Sequence, residues 1–253
     1  MIDLPMLSAA QMRRIEPYFP LSHGVPRVDD RRVLSGIVYV LKNGLRWCDA
    51  PPGYGPHKTL YSRFVRWSKL GVFNRIFAAL VKEAGAPDIL MIDATHLKAH
   101  RTASSLLKKG LPPRRIGRTK GGLNSKLHVV CDGQGRPLML CLTEGQMSDH
   151  IGAKLLYPAL PSHNCIMIGD KGYDSDAYRA ALLAKNITPC IPPRKGRLVP
   201  ADFDKNLYRQ RHKIENLFAR LKDWRRIHTR YDRCAHSFMA AITIAAICAF
   251  WIS

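Results

Sequence analysis

Residues 208–222 read Tyr-Arg-Gln-Arg-His-Lys-Ile-Glu-Asn-Leu-Phe-Ala-Arg-Leu-Lys, and this stretch organises the reading of the chain. It contains no Gly or Pro, and Leu207, Ile214, Leu217, Phe218 and Leu221 recur at three- and four-residue steps, the period of a helix with one apolar face. One helix is therefore expected over 208–222. Tyr208, Arg211, Glu215 and Lys222 follow at offsets of three, seven and fourteen, which at about 100° per residue gathers them into a stripe about 60° wide. A carboxylate is thus held among cations along the edge of the apolar face. An exposed, salt-bridged helix would look the same, and such surface pairs are common and weak.

The spacing Tyr208-(2)-Arg211-(3)-Glu215-(6)-Lys222 resembles, without gap or substitution, the Y-(2)-R-(3)-E-(6)-K signature of bacterial insertion-sequence DDE transposases. Two upstream carboxylates end apolar runs, in Ile-Leu-Met-Ile-Asp93 and Ile-Met-Ile-Gly-Asp170. From about Leu7 to the C-terminus the chain is similar to transposases of the group named for insertion sequence five. The resemblance implies a ribonuclease-H-like fold whose metal ligands are Asp93, Asp170 and Glu215, with Arg211 and Lys222 assigned to DNA. It also implies an N-terminal region that binds the ends of the element.

Charge points the same way from independent ground. Forty Lys and Arg against nineteen Asp and Glu give the 253 residues a formal charge of +21. These cations are spread over several segments, which favours nucleic acid over a membrane surface as the polyanionic partner. A hydrophobic content of 46% is that of an ordinary globular chain. Seven Cys without a C-x-x-C pair argue against a disulfide framework and against a zinc site. The first residues, Met-Ile-Asp-Leu-Pro, lack the pattern of a signal peptide. The apolar segment Phe238 to Ile252 falls short of the ~20 residues that span a bilayer, so a buried closing helix and a cytoplasmic, nucleoid-associated protein are expected.

Residues 1–85 read as a small all-α, helix-turn-helix-like domain. Ser8 caps a helix running to about Phe19, before breaks at Pro20, Gly24 and Pro26; Asp29 or Asp30 caps Arg31 to Lys42, which Gly44 stops. Thr59 is expected to cap a helix to Leu70, and Phe73 to Ala84 makes another. The helix from Thr59 carries Arg63, Arg66 and Lys69 beside aromatics, which suits entry into a DNA groove; a plain bundle with solvated cations reads equally well from residue types alone. Residues 86–253 turn to strands: Ile89 to Ala94, a hairpin of Lys126 to Cys131 with Leu138 to Leu142 around Asp-Gly-Gln-Gly-Arg, Cys165 to Gly169, and Thr188 to Ile191. Helices are expected at Ile151 to Tyr157 and Ser175 to Lys185. The order is that of an α/β, ribonuclease-H-like mixed sheet flanked by helices. Between them, residues 101–126 form a long loop with Arg101, Lys108, Lys109, Arg114, Arg115, Arg118, Lys120 and Lys126 and no acidic residue, a candidate phosphate-binding segment.

Phosphodiester cleavage and transfer need charge managed on the attacking and the leaving oxygen together. Two Mg²⁺ ions ~4 Å apart do this, held by hard oxygen ligands, and Mn²⁺ is expected to substitute. Asp93, Asp170 and Glu215 are the candidate ligands, with Arg211 and Lys222 as phosphate clamps and Tyr208 as a stacking or packing residue. Asp149 is the chief rival ligand, Asp174 reads as a helix cap, and His96, His128 and His150 lack any paired spacing. The expected activity is a transposase that binds terminal inverted repeats, cleaves them and joins the 3′-hydroxyl to target DNA, working as a dimer or larger assembly. A nuclease of the same fold and a catalytically decayed DNA-binding protein are the alternatives.

Overall fold

The computed structural model describes residues 4–21, 28–105, 114–197, 199 and 201–252. The breaks expected at Gly24 and Pro26, and Lys108 and Lys109 of the basic segment, lie outside them. The chain divides into two compact units: residues 1–83, 100–114 and 221–253 form one, residues 84–99 and 115–220 the other.

The first unit is helical. Its chain begins with α1 (Ala9–Ile15), where Ser8 and Gln11 form a reciprocal capping box. Next comes α2 (Asp30–Asn43), capped by Asp29 and closed by Gly44 at φ 72°, a left-handed turn that glycine adopts without strain. The third helix, α3, spans His57–Lys69 with Pro56 at its N-cap, so it starts two residues before the expected cap Thr59; the fixed φ of proline suits a helix start. Helix α4 covers Val72–Glu83.

The second unit is a mixed sheet with helical crossovers. Its strands are β1 (Ile89–Ala99), β2 (Gly117–Thr119), β3 (Gly122–Asp132), β4 (Pro137–Glu144), β5 (Cys165–Gly169) and β6 (Ile187–Cys190). The order is β2-β3-β1-β5-β6, and β4 pairs with the same edge of β3 as β2. β1 is antiparallel to β3, with Asp93 opposite Val129, and parallel to β5, with Ile92 opposite Gly169. Helices α5 (Asp149–Leu156) and α6 (Asp176–Leu183) make the crossovers. They enclose Leu90, Ile92, Val130, Met167 and Ile187 with Leu156, Tyr173 and Leu182 in one core. Because side chains alternate along a strand, Asp93 falls on the face opposite Ile92. After β6, α7 (Lys205–Tyr208) passes through a 3₁₀ turn at Arg209–Arg211 into α8 (His212–Lys222). The expected single helix is therefore retightened at Arg209–Arg211.

Two expectations change. β1 runs to Ala99 instead of Ala94, since Leu97 and Ala99 are buried and alternate with exposed His96 and Lys98, the half-buried pattern of a strand paired along β3. The segment 101–126 is only partly loop, because β2 and the first residues of β3 form a hairpin within it.

The C-terminal residues were expected within the sheet domain, 86–253, but residues 221–253 cluster with the N-terminal helices. The reason is α10 (Ala235–Ala246), which follows the short α9 (Arg225–His228) and ends in a π-helical turn at Ile247–Trp251. Phe238, Ala241, Ile242, Ile244, Ala245 and Ala246 are all buried. A helix apolar all round must be enclosed, and α2, α3 and α4 pack around it. Among the described residues no helix is long and apolar enough to cross a membrane.

Candidate active site

Asp93 stands where the parallel pairing of β1 with β5 ends, one residue past Ile92↔Gly169, and Asp170 is the residue that follows β5. Asp170 thus sits at the carboxyl end of β5 and Asp93 lies within β1 just past its parallel pairing with β5, on the side of an open α/β sheet where crevices form. Each is oriented locally. Asp93 Oδ1 accepts a hydrogen bond from the Ala94 amide at 2.7 Å. Asp170 Oδ1 accepts from the Gly172 amide at 2.8 Å while capping the 3₁₀ turn Lys171–Tyr173. A Cβ at position 172 would lie 2.8 Å from that same oxygen, so any larger residue there would displace the Asp170 carboxylate.

Arg211, from the 3₁₀ turn before α8, brings the helix stripe to this pair. Its Nη1 donates to Asp93 Oδ2 at 2.9 Å, and its Nη2 donates to Glu215 Oε1. Glu215 is one turn further along α8 and half exposed, whereas Arg211 and Asp93 keep side-chain exposures of 23% and 18%. Lys213, also on α8, ties the helix to the β3–β4 turn by donating to the Gly133 carbonyl at 2.6 Å. Tyr208 packs edge-on against Phe203, with ring centroids 5.5 Å apart.

Burial pushes the Asp93 carboxyl up to about 6, against the Ala94 hydrogen bond and the Arg211 cation, and the charges of Asp170 and Asp149 add to the rise. Burial by itself would lower Arg211, yet the attraction of Asp93 and then Glu215 holds it above its usual value. Tyr208 is raised by burial and drawn down by Arg211. Lys222, the last residue of α8, belongs to the first unit, and burial lowers it.

Among the described residues no three His, Cys, Asp or Glu side chains form a cluster able to hold a metal ion. The donor chemistry nonetheless fits hard divalent cations: all three candidates are carboxylates. Asp93, desolvated beside Asp170, is a site where positive charge is wanted, and in this conformation the Arg211 guanidinium fills that role and draws Glu215 to itself.

Comparisons with known proteins show the family. A family model described as "Putative transposase of IS4/5 family" matches residues 7–77, and two described as "Transposase DDE domain" match residues 84–199 and 167–250. "Putative transposase for insertion sequence element IS6501" of Brucella ovis is 35% identical over 125 residues, 49% of this chain and 95% of that protein. This chain belongs to the IS4/5 family of DDE transposases. "Putative transposase for insertion sequence element IS402" of Burkholderia cepacia is 29% identical over 156 residues, covering 54% of this chain and 72% of that one. Among solved structures, the piggyBac transposase synaptic complex with hairpin DNA superposes with a TM-score of 0.51 at 10% identity, over 93% of this chain and 68% of that one. That likeness bears on the fold alone, which is ribonuclease-H-like, as expected.

In this DDE transposase the remaining sequence candidates separate by their surroundings. Asp149, the rival ligand, heads α5 and pairs with the buried Lys126 Nζ at 2.8 Å. Asp174 is not a helix cap: Ser175 caps α6, and Asp174 is wholly buried, accepting from Arg179 Nε, Arg197 Nη1 and the Arg194 amide at 2.8–2.9 Å. Nothing local signals the whole network, because Arg194 and Arg197 arrive 20 and 23 residues later. His128 is buried against Thr143 and pushed down to about 4 by burial, a structural histidine. Arg63 is drawn inward, paired to Asp30 at 2.9 Å with its guanidinium over the Trp67 ring, whereas Arg66 and Lys69 are exposed. Arg114 binds the Ser104 and Ser105 carbonyls, Arg115 reaches Glu144 at 3.5 Å, and Arg118 and Lys120 are exposed on the β2–β3 hairpin.

Proposed function

We propose that this transposase binds the terminal inverted repeats of an insertion sequence, cleaves the ends and joins the freed 3′-hydroxyl to target DNA, using Asp93, Asp170 and Glu215. The observation that carries this reading is the placement of Asp93 and Asp170 just past the last paired residues of β1 and β5, with Arg211 linking Asp93 to Glu215. Divalent cations, Mg²⁺ or Mn²⁺, held by the three carboxylates would neutralise the charge on the attacking and leaving oxygens.

The protein's own groups have complementary tasks. Asp93 and Asp170 are fixed by backbone amides, so their free oxygens keep a constant direction. Arg211 is assigned the exchanging part. Its planar, bidentate guanidinium suits a phosphate as well as a carboxylate, and we assign it to exchange Asp93 and Glu215 for the scissile phosphate when DNA arrives. Lys222, lowered by burial, and Tyr208 are each assigned to DNA contact. Arg66, Lys69, Arg118 and Lys120, exposed cations, supply the sequence-independent phosphate contacts that dominate affinity. Pairing two ends implies a dimer or larger assembly, acting on nucleoid DNA in the cytoplasm.

The test incubates the purified protein with candidate inverted-repeat DNA and a target plasmid, with Mg²⁺ or with EDTA. Cleaved ends and joined products in Mg²⁺ alone support the reading. Cleavage without joined product would make the protein a nuclease of this fold, and binding without either would make it a DNA-binding relative.

A further inference from the structure

The helical unit holds an open cavity of about 560 Å³ that the carboxylate chemistry does not use. Its wall is aromatic and cationic. Trp47 and Tyr61 lie with ring centroids 5.6 Å apart, and the Arg226 guanidinium sits 5.7 Å from the Trp47 ring and 5.9 Å from the Tyr231 ring. Two long helices begin at this cavity: α3, whose first residues His57 and Lys58 line it, and α10, lined from Cys234 and Ser237. Neither N-terminus has a side-chain cap, so both direct positive helix ends toward it, with Lys58 and Arg233 beside them.

The second observation is a half-satisfied ion pair. Arg226 donates through Nη1 to the Leu45 carbonyl at 2.9 Å and through Nη2 to Asp232 Oδ1 at 3.2 Å. The two side chains are only 8% and 10% exposed. Arg226 Nε and Asp232 Oδ2 are nevertheless buried without any hydrogen-bond partner. A buried donor and acceptor left unpaired beside a cavity are costly, and a ligand offering the complementary pair would recover that cost.

Planar rings, positive helix ends and one free donor with one free acceptor describe a nucleotide. We propose that this cavity receives an unpaired nucleotide of the DNA strand, a site that deepens the transposase reading and rests on it. Each base presents a hydrogen-bond donor next to an acceptor on its Watson–Crick edge, matching Asp232 Oδ2 and Arg226 Nε. The base would lie among Trp47, Tyr61 and Tyr231, where stacking tolerates any base. Its phosphate would meet Lys58, Arg233 and the two helix ends.

The experiment measures binding of the full chain to labelled single-stranded octamers of dA, dC and dT and to an abasic octamer, and in parallel to duplex element ends. The wild type is expected to bind the three base-bearing octamers about tenfold more tightly than the abasic one. In Asp232→Asn the amide oxygen stays toward Arg226 Nη2, which turns the free position into an NH₂ donor. Two donors then face each of these bases, and the tenfold gain should shrink to about threefold. Lys58→Ala, an exposed change, should weaken all four octamers alike and flatten their salt dependence by about one unit. Circular dichroism melting establishes that each variant is folded, and duplex binding within a few-fold of wild type in all of them is expected. Equal wild-type affinity for the abasic and the base-bearing octamers, or a gain that folded Asp232→Asn leaves unchanged, overturns the site. Loss of duplex binding by the wild type itself would overturn the transposase reading instead.

Discussion

The most informative perturbation is Arg211→Ala, because Arg211 is both the partner that Asp93 has in this structure and the group assigned to the scissile phosphate. Two unit charges ~4 Å apart attract by about 4 kcal/mol at the effective dielectric of a protein near its surface. Here the exposures of 23% and 18% leave part of each ion hydrated, and the cost of burying them is set against the attraction. A coupling of about 1–3 kcal/mol is therefore expected between Arg211 and Asp93. A double-mutant cycle of wild type, Arg211→Ala, Asp93→Asn and the double variant, unfolded by urea at pH 7.5 in EDTA, measures it directly. Arg211→Ala alone should lose on the order of 2 kcal/mol, since it strands a buried carboxylate, and the loss should shrink when Asp93 is already Asn. In the same variant Mg²⁺ should raise the unfolding midpoint more than it does in the wild type, because the cation no longer competes with a guanidinium for Asp93. A coupling below ~0.5 kcal/mol, or equal Mg²⁺ stabilisation in both proteins, would refute the reasoning that Arg211 occupies the place where positive charge is wanted.

Three further outcomes follow from the same structure. Asp93 titrates at about 6, raised above its ordinary 3.8 by burial, so folding takes up a proton there; relative to Asp93→Asn the wild type should gain on the order of 1 kcal/mol as pH falls from 7.5 to 5 in EDTA, and a flat difference contradicts that assignment. Asp174→Ala should cost about 3–5 kcal/mol in urea unfolding, because it leaves Arg179 buried without its carboxylate; a loss under 1 kcal/mol would mean the network does not hold the end of β6. Arg66→Ala with Lys69→Ala should lower the slope of log K against log salt for element-end DNA by about two, whereas Arg63→Ala should act on stability through Asp30 and Trp67; an unchanged slope in the double variant removes α3 from the DNA interface.

What the sequence discloses here is what short-range physics controls. The Ser8 capping box, the Asp29 cap with Gly44 at the far end of α2, and the hairpin around Gly133 and Gly135 each depend on residues within a few positions of one another. Asp93 and Asp170 are legible because each follows an apolar run, and Glu215 because it shares a stripe with Arg211. Long-range pairing is what stays hidden. Arg211 reaches Asp93 across 118 residues, and Asp174 collects its arginines from α6 and from the segment after β6. The placement of α10 with the N-terminal helices is written in its all-round apolarity, which says that it must be enclosed and not by what. Thr59 misleads as a cap because Pro56 already sets the helix start. Arg63 looks like a DNA contact in a basic helix, and only the fold reveals Asp30 and Trp67 beside it.

The central claim is that Asp93, Asp170 and Glu215 act together on DNA that the rest of the protein binds. Strand cleavage and gel shift, measured on the same preparations of Asp93→Asn, Asp170→Asn and Glu215→Gln with labelled element-end DNA and Mg²⁺, test it most directly. The account predicts that each substitution abolishes cleavage while end binding stays within a few-fold of wild type, and wild-type-like cleavage by any one of the three would contradict it.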